Sequence, residues 1–587
     1  MNMNRRRLLD AQGSGIALLF CLTVACGSSI RHDGRRGPVG SLGGSGGTAG
    51  SLGEAGTEPG AQTGGHSASG GSAAAGRSGS DAGGVAGAPD DPEPGSVALD
   101  GTPFYTRVPR LTVSQWEHAV TDILRFTESH DLSREFLRPV KGLTDFDNNE
   151  KVLFVDAPNF LDFETGAEAA AALATGSDAA LAALYEGDDA AGFVRTVGRR
   201  AFRRPLTDAE EAAYGAIFAR GEELYGAGFA HGAALVIRAL LQSPHFLYRP
   251  ELGAEGKALN GYELAAKLSF WLLDTTPSDA LLDAAAAGVL DSDDGLEAVT
   301  RDMLAAPEAV AVMRDFHRQL LVFDDYASLD KSDVPDFGSL RPELEAASTA
   351  FVDQIFQTDL GLRELLTSNQ AYVGPGLAPF YGLTASASGL ELRDLGAARS
   401  GYFMQVPFLM RWADGARSNP IERGFRLARM LCGQLPAPIV SSPPIPPPQA
   451  GQTTRDQVTA LTAGCGGACH ALIDPLGFSL ESFDGLGQER TADNGIPVDT
   501  ASSYAFAEGV QQFADGNELM RIMADSAAAH TCYSKNVTGY ALGRDMAESD
   551  RPLLEGLGQV SLSHSLRELA VALVRDPAFR SRPEVTP

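Results

Sequence analysis

The chain has 587 residues, a formal net charge of −28 and six cysteines. So large an acidic excess argues against nucleic acid as a partner and against binding to anionic lipid, because both carry negative charge. The length exceeds what one hydrophobic core organises, so we expect several subdomains. Six cysteines predict a few specific bonds and not a disulfide scaffold.

The N-terminus has the features of an export signal. Three arginines starting at Arg5 precede a short apolar run over 16–24, and Ala25 and Cys26 close the segment. The run is too short to cross a bilayer as a mature helix. We therefore expect a lipoprotein-type signal over 1–26 with lipidation at Cys26. The protein would be exported to the outer membrane or cell surface, periplasmic or extracellular, with its membrane contact through the lipid anchor. The alternative is an ordinary cleaved signal in which Cys26 has no role.

Residues 27–98 are dominated by glycine, serine and alanine. Such a composition cannot bury enough apolar surface to offset the entropy of ordering the chain. We expect a disordered tether that holds the folded body away from the membrane.

From residue 102 onward the apolar residues recur with helical spacing, and the alternation typical of strands is scarce. We therefore predict a mainly α fold, a multidomain helical body with one small irregular segment. The subdomains are expected over 102–186, 187–255, 256–390, 398–500 and 501–583. A Pro-rich run over 436–448 in the fourth subdomain should be extended, as a linker or as a strap across the helical body.

Three helix starts carry capping signals. The stretch 207–210 is a capping box, and Pro277 and Pro420 each stand where a first helical position is expected. The stretch 495–499 is the best candidate for a small hairpin.

The most distinctive group of side chains is Cys465-Gly-Gly-Ala-Cys469-His470. A c-type haem needs two thiols for thioether bonds and a histidine directly after the second thiol to ligate iron. The usual motif leaves two residues between the cysteines, and this chain has one more. On this interpretation Cys465 and Cys469 attach haem c, and His470 is the metal ligand. Asp474 would end the short helix. Arg490 could pair with a haem propionate, although an arginine on a solvated turn needs no such role.

A series of longer motifs runs through nearly the whole chain after the tether. They lie at 110–116, 146–149, 202–210, 241–249, 262–272, 363–366, 419–424, 469–478, 481–484 and 540–544. Their order resembles the exported, multidomain planctomycete cytochrome C family and its companion domains of unknown function. The resemblance implies that 398–500 is a cytochrome-c-like domain. It also implies an exported c-type-haem-like redox protein, acting in electron transfer or in haem-dependent oxidation. It assigns no catalytic residue, substrate or redox partner.

The cysteines admit a second assignment. In an oxidising compartment, Cys465 and Cys469 can form a disulfide with each other or pair elsewhere. Cys432 continues the apolar face of one predicted helix, and Cys532 begins another. We expect a Cys432–Cys532 disulfide that joins the two C-terminal subdomains. The competing function is then a non-redox cell-surface protein, a glycan-processing or scaffold module stapled by disulfides.

Other candidate metal ligands rest only on their position in sequence or on their residue type. A zinc site would need two more ligands, for which only His530 and His564 lie nearby in sequence. A distal haem ligand of the methionine type would raise the reduction potential of a cytochrome c. The candidates by residue type are Met404, Met520, Met523 and Met546.

Overall fold

A computed structural model describes the chain between Val97 and Ser581, with gaps. The described residues are 97–99, 101, 108–140, 142, 146–253, 258–323, 326–332, 334–385, 387, 389–433, 445–446, 449–463 and 470–581. The predicted signal over 1–26, the lipidation at Cys26 and nearly all of the tether over 27–98 lie outside the described residues.

Seven helices form the N-terminal part of the folded body. They are α1 (Val113–Ile123), α2 (Ala157–Ala174), α3 (Asp178–Leu184), α4 (Ala190–Phe202), α5 (Asp208–Tyr225), α6 (Phe229–Leu241) and α7 (Pro244–Leu247). Their apolar faces enclose a first core around the buried Trp116, whose ring lies 4.9 Å from that of Phe136. The capping box predicted at 207–210 is present, with the Thr207 hydroxyl accepting from the Glu210 N–H.

Fifteen further helices of the described ranges follow. The central ones are α8 (Gly261–Leu272), α9 (Asp279–Ala286), α10 (Asp293–Leu304), α11 (Pro307–Leu321), α12 (Phe337–Gln357) and α13 (Leu362–Thr367). The C-terminal ones are α14 (Val406–Arg411), α15 (Pro420–Arg429), α16 (Thr454–Thr462), α17 (Asp474–Phe478), α18 (Gly516–Asp525), α19 (Ala527–Leu542), α20 (Arg551–Ser563), α21 (Leu566–Arg575) and α22 (Pro577–Arg580). Together they enclose a second, larger core.

Helix α8 joins the two cores. Phe270 packs into the first core, whereas Leu268 and Trp271 pack into the second. A helix that is buried nearly all round must be covered on both sides, which is why its apolar residues are not confined to one stripe. Neither α8 nor any other helix in the described ranges is long and apolar enough to cross a membrane.

The strands of the described residues form four antiparallel hairpins. They are β1 (Gln370–Val373) with β2 (Glu391–Asp394), β3 (Ala413–Asp414) with β4 (Arg417–Ser418), β5 (Ala492–Asp493) with β6 (Ile496–Pro497), and β7 (Ser502–Phe506) with β8 (Gly509–Phe513). The β5–β6 hairpin confirms the one predicted from 495–499, and its turn residues Asn494 and Gly495 both have positive φ. The fold is mainly α, as the sequence predicted.

A buried histidine links α11 to α19 in the second core. His317 is fully buried, its Nδ1 lies 2.7 Å from the Met313 carbonyl oxygen, and its Nε2 lies 2.8 Å from the Tyr533 hydroxyl. The carbonyl can only accept, so Nδ1–H donates to it and the Tyr533 O–H donates to Nε2. The ring is therefore neutral, and burial lowers the pKa of His317 to about 4.

This depressed pKa predicts acid sensitivity. A histidine in the unfolded chain has a pKa of about 6.5 and takes up a proton before the folded one does, so the folded state loses stability as the pH falls from about 6.5 toward 4. Between pH 7.5 and pH 4.5, the free energy of unfolding of the wild type should fall by about 2.5 kcal/mol more than that of a His317→Gln variant. Urea unfolding at the two pH values measures the difference. Equal pH dependence in both proteins would show that His317 does not cause it.

Candidate functional site

His470 begins a short 3₁₀ turn, His470–Leu472, that leads into α17. Asp474 lies four residues later, at the start of α17, so the two side chains fall on the same side of the turn. His470 Nδ1 lies 2.9 Å from Asp474 Oδ1. The hydroxyl of Thr462, on α16, donates to Asp474 Oδ2 at 2.9 Å. Asp474 therefore begins a helix instead of ending one, and it ties His470 to α16 and α17.

The hydrogen bonds fix the proton on the imidazole. Burial raises the pKa of Asp474, while the hydrogen bonds from His470 and Thr462 act in the opposite direction. The ionised carboxylate only accepts hydrogen bonds, so the imidazole proton lies on Nδ1. In the neutral tautomer Nε2 carries the lone pair, and it has no hydrogen-bond partner among the described residues. Metal-ligating histidines are commonly held by a carboxylate in this way.

A cavity of about 740 Å³ lies beside His470. One wall, from α17 and the turn before it, presents Ala471, Pro475 and Phe478. The other wall, from β7 and β8, presents the polar side chains Ser502 and Gln512. Ligand pockets typically have volumes of about 300–1,000 Å³, so the cavity is large enough for an organic cofactor.

The arginine at this cavity is Arg455 and not Arg490. Arg455, on α16, lies over the Phe478 ring at 4.8 Å from its centroid. Arg490 instead donates to the buried carboxylate of Glu481 at 2.8 Å and to Asp493 at 2.8 Å. The prediction that Arg490 pairs with a propionate is therefore wrong, because its guanidinium already neutralises a buried carboxylate. Nothing local in the sequence marks Arg455, since α16 reaches the cavity only through tertiary packing.

The methionines proposed as distal ligands are core residues. All four are buried in the second core, and none lines the cavity beside His470: Met404, Met520, Met523 and Met546. Their role is packing in this structure, which corrects the prediction of a methionine ligand from residue type alone.

The zinc interpretation finds no support in the described residues. His530 is buried, and both its ring nitrogens are engaged, Nδ1 with Ser561 and Nε2 with the Ala524 carbonyl oxygen. His564 is exposed, and its Nδ1 lies 3.2 Å from the Val560 carbonyl oxygen. Across the described ranges, no group of three or more His, Cys, Asp or Glu side chains is arranged to hold a metal.

The four cysteines after the tether form two groups. A disulfide joins Cys432 to Cys532, as the sequence predicted. Cys465 and Cys469 lie outside the described residues, directly before His470. The two cysteines of the haem motif are therefore not used by the disulfide that the structure contains.

Helix α15 holds the His470 turn in place through close backbone contact. A Cβ on Gly424 would lie 2.1 Å from the carbonyl oxygen of Ile473, the residue before Asp474. Arg423, fully buried on the same helix, donates to the carbonyl oxygens of Phe483 at 2.9 Å and Leu409 at 3.0 Å. The turn is thus clamped from α15 as well as from α16.

Four family models match successive parts of the chain, and each carries the description protein of unknown function. They match residues 189–251 (DUF1595), 259–383 (DUF1592), 399–493 (DUF1588) and 509–579 (DUF1585). The His470 turn lies within the third match, and the disulfide joins the third match to the fourth. No curated protein and no solved structure matches the chain.

The helical body and the His470 turn define a class, a multidomain protein built from cytochrome-c-like companion domains. The chain belongs to the planctomycete cytochrome C-like multidomain family with its companion domains of unknown function. The domains matched over 399–493 and 509–579 indicate a redox setting and specify no reaction.

Proposed function

We propose that this chain is an exported redox protein that carries covalently attached haem c on Cys465 and Cys469, with His470 as the iron ligand. The observation that carries the proposal is the pairing of His470 Nδ1 with Asp474 at 2.9 Å, which leaves Nε2 as the ligating atom. The donor set fits a haem, because a cavity of about 740 Å³ adjoins the imidazole and the two thiols directly precede it in sequence.

The residues around His470 have separate tasks in this proposal. Asp474 orients the imidazole, fixes its tautomer and raises its basicity, as carboxylate partners of ligating histidines do. Phe478 and Pro475 supply apolar surface that limits water at the cofactor. Arg455 pairs with the exposed Asp499 at 3.3 Å and presents its guanidinium at the cavity, where it would also hold an acidic substituent of the cofactor. When bound, the haem supplies an iron centre that takes up and releases one electron.

Haem-dependent oxidation is favoured over simple electron transfer by the absence of a second ligand. In the part of the chain that the structure describes, no methionine and no second histidine lines the cavity. The neighbouring stretches 434–448 and 464–469 contain neither residue in sequence. A haem held by His470 would then find no second protein ligand among these residues, and the chemistry it would supply is the oxidation of a small molecule bound in the cavity.

The location is part of the proposal. The basic start, the short apolar run and the Ala25-Cys26 boundary support export and a lipid anchor on Cys26. A lipid on Cys26 holds the redox domain at the outer membrane or cell surface, on the oxidising side where c-type haem and disulfides are formed.

The test is a pyridine haemochrome spectrum of the full chain, exported together with haem-attachment machinery. We expect a c-type band in the wild type and its loss in Cys469→Ala. The matched control is Ala468→Ser, which changes the same motif without removing a thiol and should keep the band. No band in the wild type, with Cys465 and Cys469 found joined to each other, would overturn the proposal in favour of a disulfide-stapled surface protein.

A substitution of Asp474 gives a second test, because it should change the midpoint potential of the haem, which a purely structural role of Asp474 would leave unchanged. Asp474→Asn keeps an oxygen that accepts from His470 Nδ1–H but removes the charge, so the imidazole becomes less basic and the oxidised metal is less stabilised. The midpoint potential should rise by about 60 mV, the equivalent of a tenfold change for one electron. Asp456→Asn removes a carboxylate from α16 away from the cavity and should leave the potential unchanged. An equal shift in both variants would assign the effect to overall charge.

A further inference from the structure

A second and larger cavity lies between the N-terminal and central helices. Its volume is about 1140 Å³, and it shares no lining residue with the cavity beside His470. Residues of α1, of α4, of α8 to α11 and Tyr540 of α19 line it. Ligand sites occur preferentially where domains meet, so its position favours binding.

The walls of this cleft carry an excess of negative charge. They present eight carboxylates against four guanidiniums and one imidazole. Three of the guanidiniums already pair with carboxylates of the cleft: Arg125 and Arg200 with Asp279, and Arg318 with Asp315. In the part of the chain that the structure describes, Asp302 and Glu308 have no ion-pair partner. The field in the cleft therefore favours a cation.

The cleft also offers apolar surface and an unused hydroxyl. The apolar side chains that line it include Leu273, directly after α8, and four residues of α9 to α11: Leu281, Val299, Met303 and Val312. Ser269, which lines the same cleft, is only 1% exposed, and its hydroxyl has no hydrogen-bond partner among the residues that the structure describes. A buried polar group without a partner costs about 1–3 kcal/mol, so its retention points to a bound group that satisfies it.

We propose that this cleft binds a small aliphatic cation, an ammonium or guanidinium group on an apolar stem. The charged head lies against Asp302 and Glu308, and the stem covers the apolar side chains. A polar group of the ligand, or a water held by it, satisfies Ser269. The site is independent of the haem proposal, because it uses none of the residues around His470.

The test is calorimetric titration of the full chain with 1,6-diaminohexane, compared with 1,6-hexanediol, which has the same stem without charge. We expect saturable binding of the diamine and none of the diol. Asp302→Asn/Glu308→Gln should weaken diamine binding by about tenfold, the equivalent of about 1.4 kcal/mol. Both side chains are exposed on their helices, so the variant should fold.

Two controls separate a site from general attraction to an acidic protein. Glu186→Gln/Asp294→Asn removes the same charge from exposed positions outside the cleft and should leave the affinity unchanged. Ser269→Ala should weaken binding without lowering the melting temperature of the free protein, because it removes an unsatisfied buried hydroxyl. The proposal is overturned by equal weakening in both carboxylate variants or by binding of the diol. It is also overturned if a lysine-rich peptide binds and the diamine does not.

Discussion

Replacing Cys432 and Cys532 together by alanine is expected to lower the free energy of unfolding by about 4 kcal/mol, because the disulfide closes a loop of 100 residues. The bond lies where three segments converge. Cys432 follows α15, Cys532 lies on α19, and the Ala98 N–H donates to the Cys432 carbonyl oxygen at 2.9 Å. Opening the bond therefore frees the start of the folded body as well as the contact between the two C-terminal matched domains.

Guanidinium unfolding of the variant and the wild type measures this loss, with dithiothreitol as the matched control. The reductant should destabilise the wild type by a similar amount and leave the double variant unchanged. A wild-type-like stability of the variant would contradict the prediction. Further destabilisation of the variant by dithiothreitol would reveal a second disulfide. If the proposed signal is removed with Cys21 and Cys26 is lipidated, Cys465 and Cys469 are the pair that remains.

The pairing of these cysteines was predictable from sequence, although the local reason given for it was wrong. Cys432 does not continue the apolar face of α15, because that helix ends at Arg429 and Cys432 has a φ of 48°. Cys532 lies in the second turn of α19 and not at its start. The prediction succeeded because few cysteines were available to pair. The reversal of the chain after α15 depends on tertiary contacts, so the spacing of apolar residues in the sequence does not predict it.

Two proline signals of similar appearance had different outcomes. Pro420 occupies the first helical position of α15 behind Asn419, whose side chain accepts from the Glu422 N–H. Pro277 precedes its helix, since Ser278 is the residue that caps α9 by accepting from the Leu281 N–H. A serine directly after the proline supplies a better cap than the threonine before it, so the boundary moves by two residues. Capping residues therefore predict well that a helix begins in a given stretch, and they predict its exact first residue less well.

The candidate site shows the same division between local and distant information. His470 was identified from its neighbours in sequence, and the four-residue spacing to Asp474 was also legible there. Arg455 and the β7–β8 wall were not predicted, because they reach the cavity from separate elements. The cleft between the N-terminal and central helices was likewise invisible, since its carboxylates are spread over several helices and resemble ordinary solvated charge in so acidic a chain.

The largest expected effect of a single substitution is at the crossing of α15 and α17. A Cβ on Gly477 would lie 1.9 Å from the carbonyl oxygen of Pro420 and 2.7 Å from its carbonyl carbon. Both atoms belong to the backbone, so neither can rotate away, and the helices would have to separate. Gly477→Ala should therefore lower the free energy of unfolding by about 3 kcal/mol, at the upper end of overpacking effects. Urea unfolding measures the loss.

Gly556→Ala is the matched control for this substitution. Gly556 lies inside α20, and apart from the backbone of its own helix nothing lies within 4 Å of the position that its Cβ would take. The same change should there raise stability by about 0.5–1 kcal/mol, because alanine is the better helix former. Opposite signs at the two glycines would establish that close approach of the helices, and not helix propensity, requires glycine at 477. A stabilising effect at both positions would show that α15 and α17 do not cross as closely as described.

The crossing also connects stability to the proposed site. Gly424, the facing glycine on α15, abuts the carbonyl oxygen of Ile473, next to Asp474. Gly424→Ala should therefore displace the His470 turn, and where the variant still folds it should incorporate less haem than the wild type. Gly477→Ala separates α15 from α17 close to Asp474, so it should also reduce haem incorporation. A folded Gly424→Ala protein with full haem content would mean that His470 is positioned by Asp474 and α16 alone, without α15.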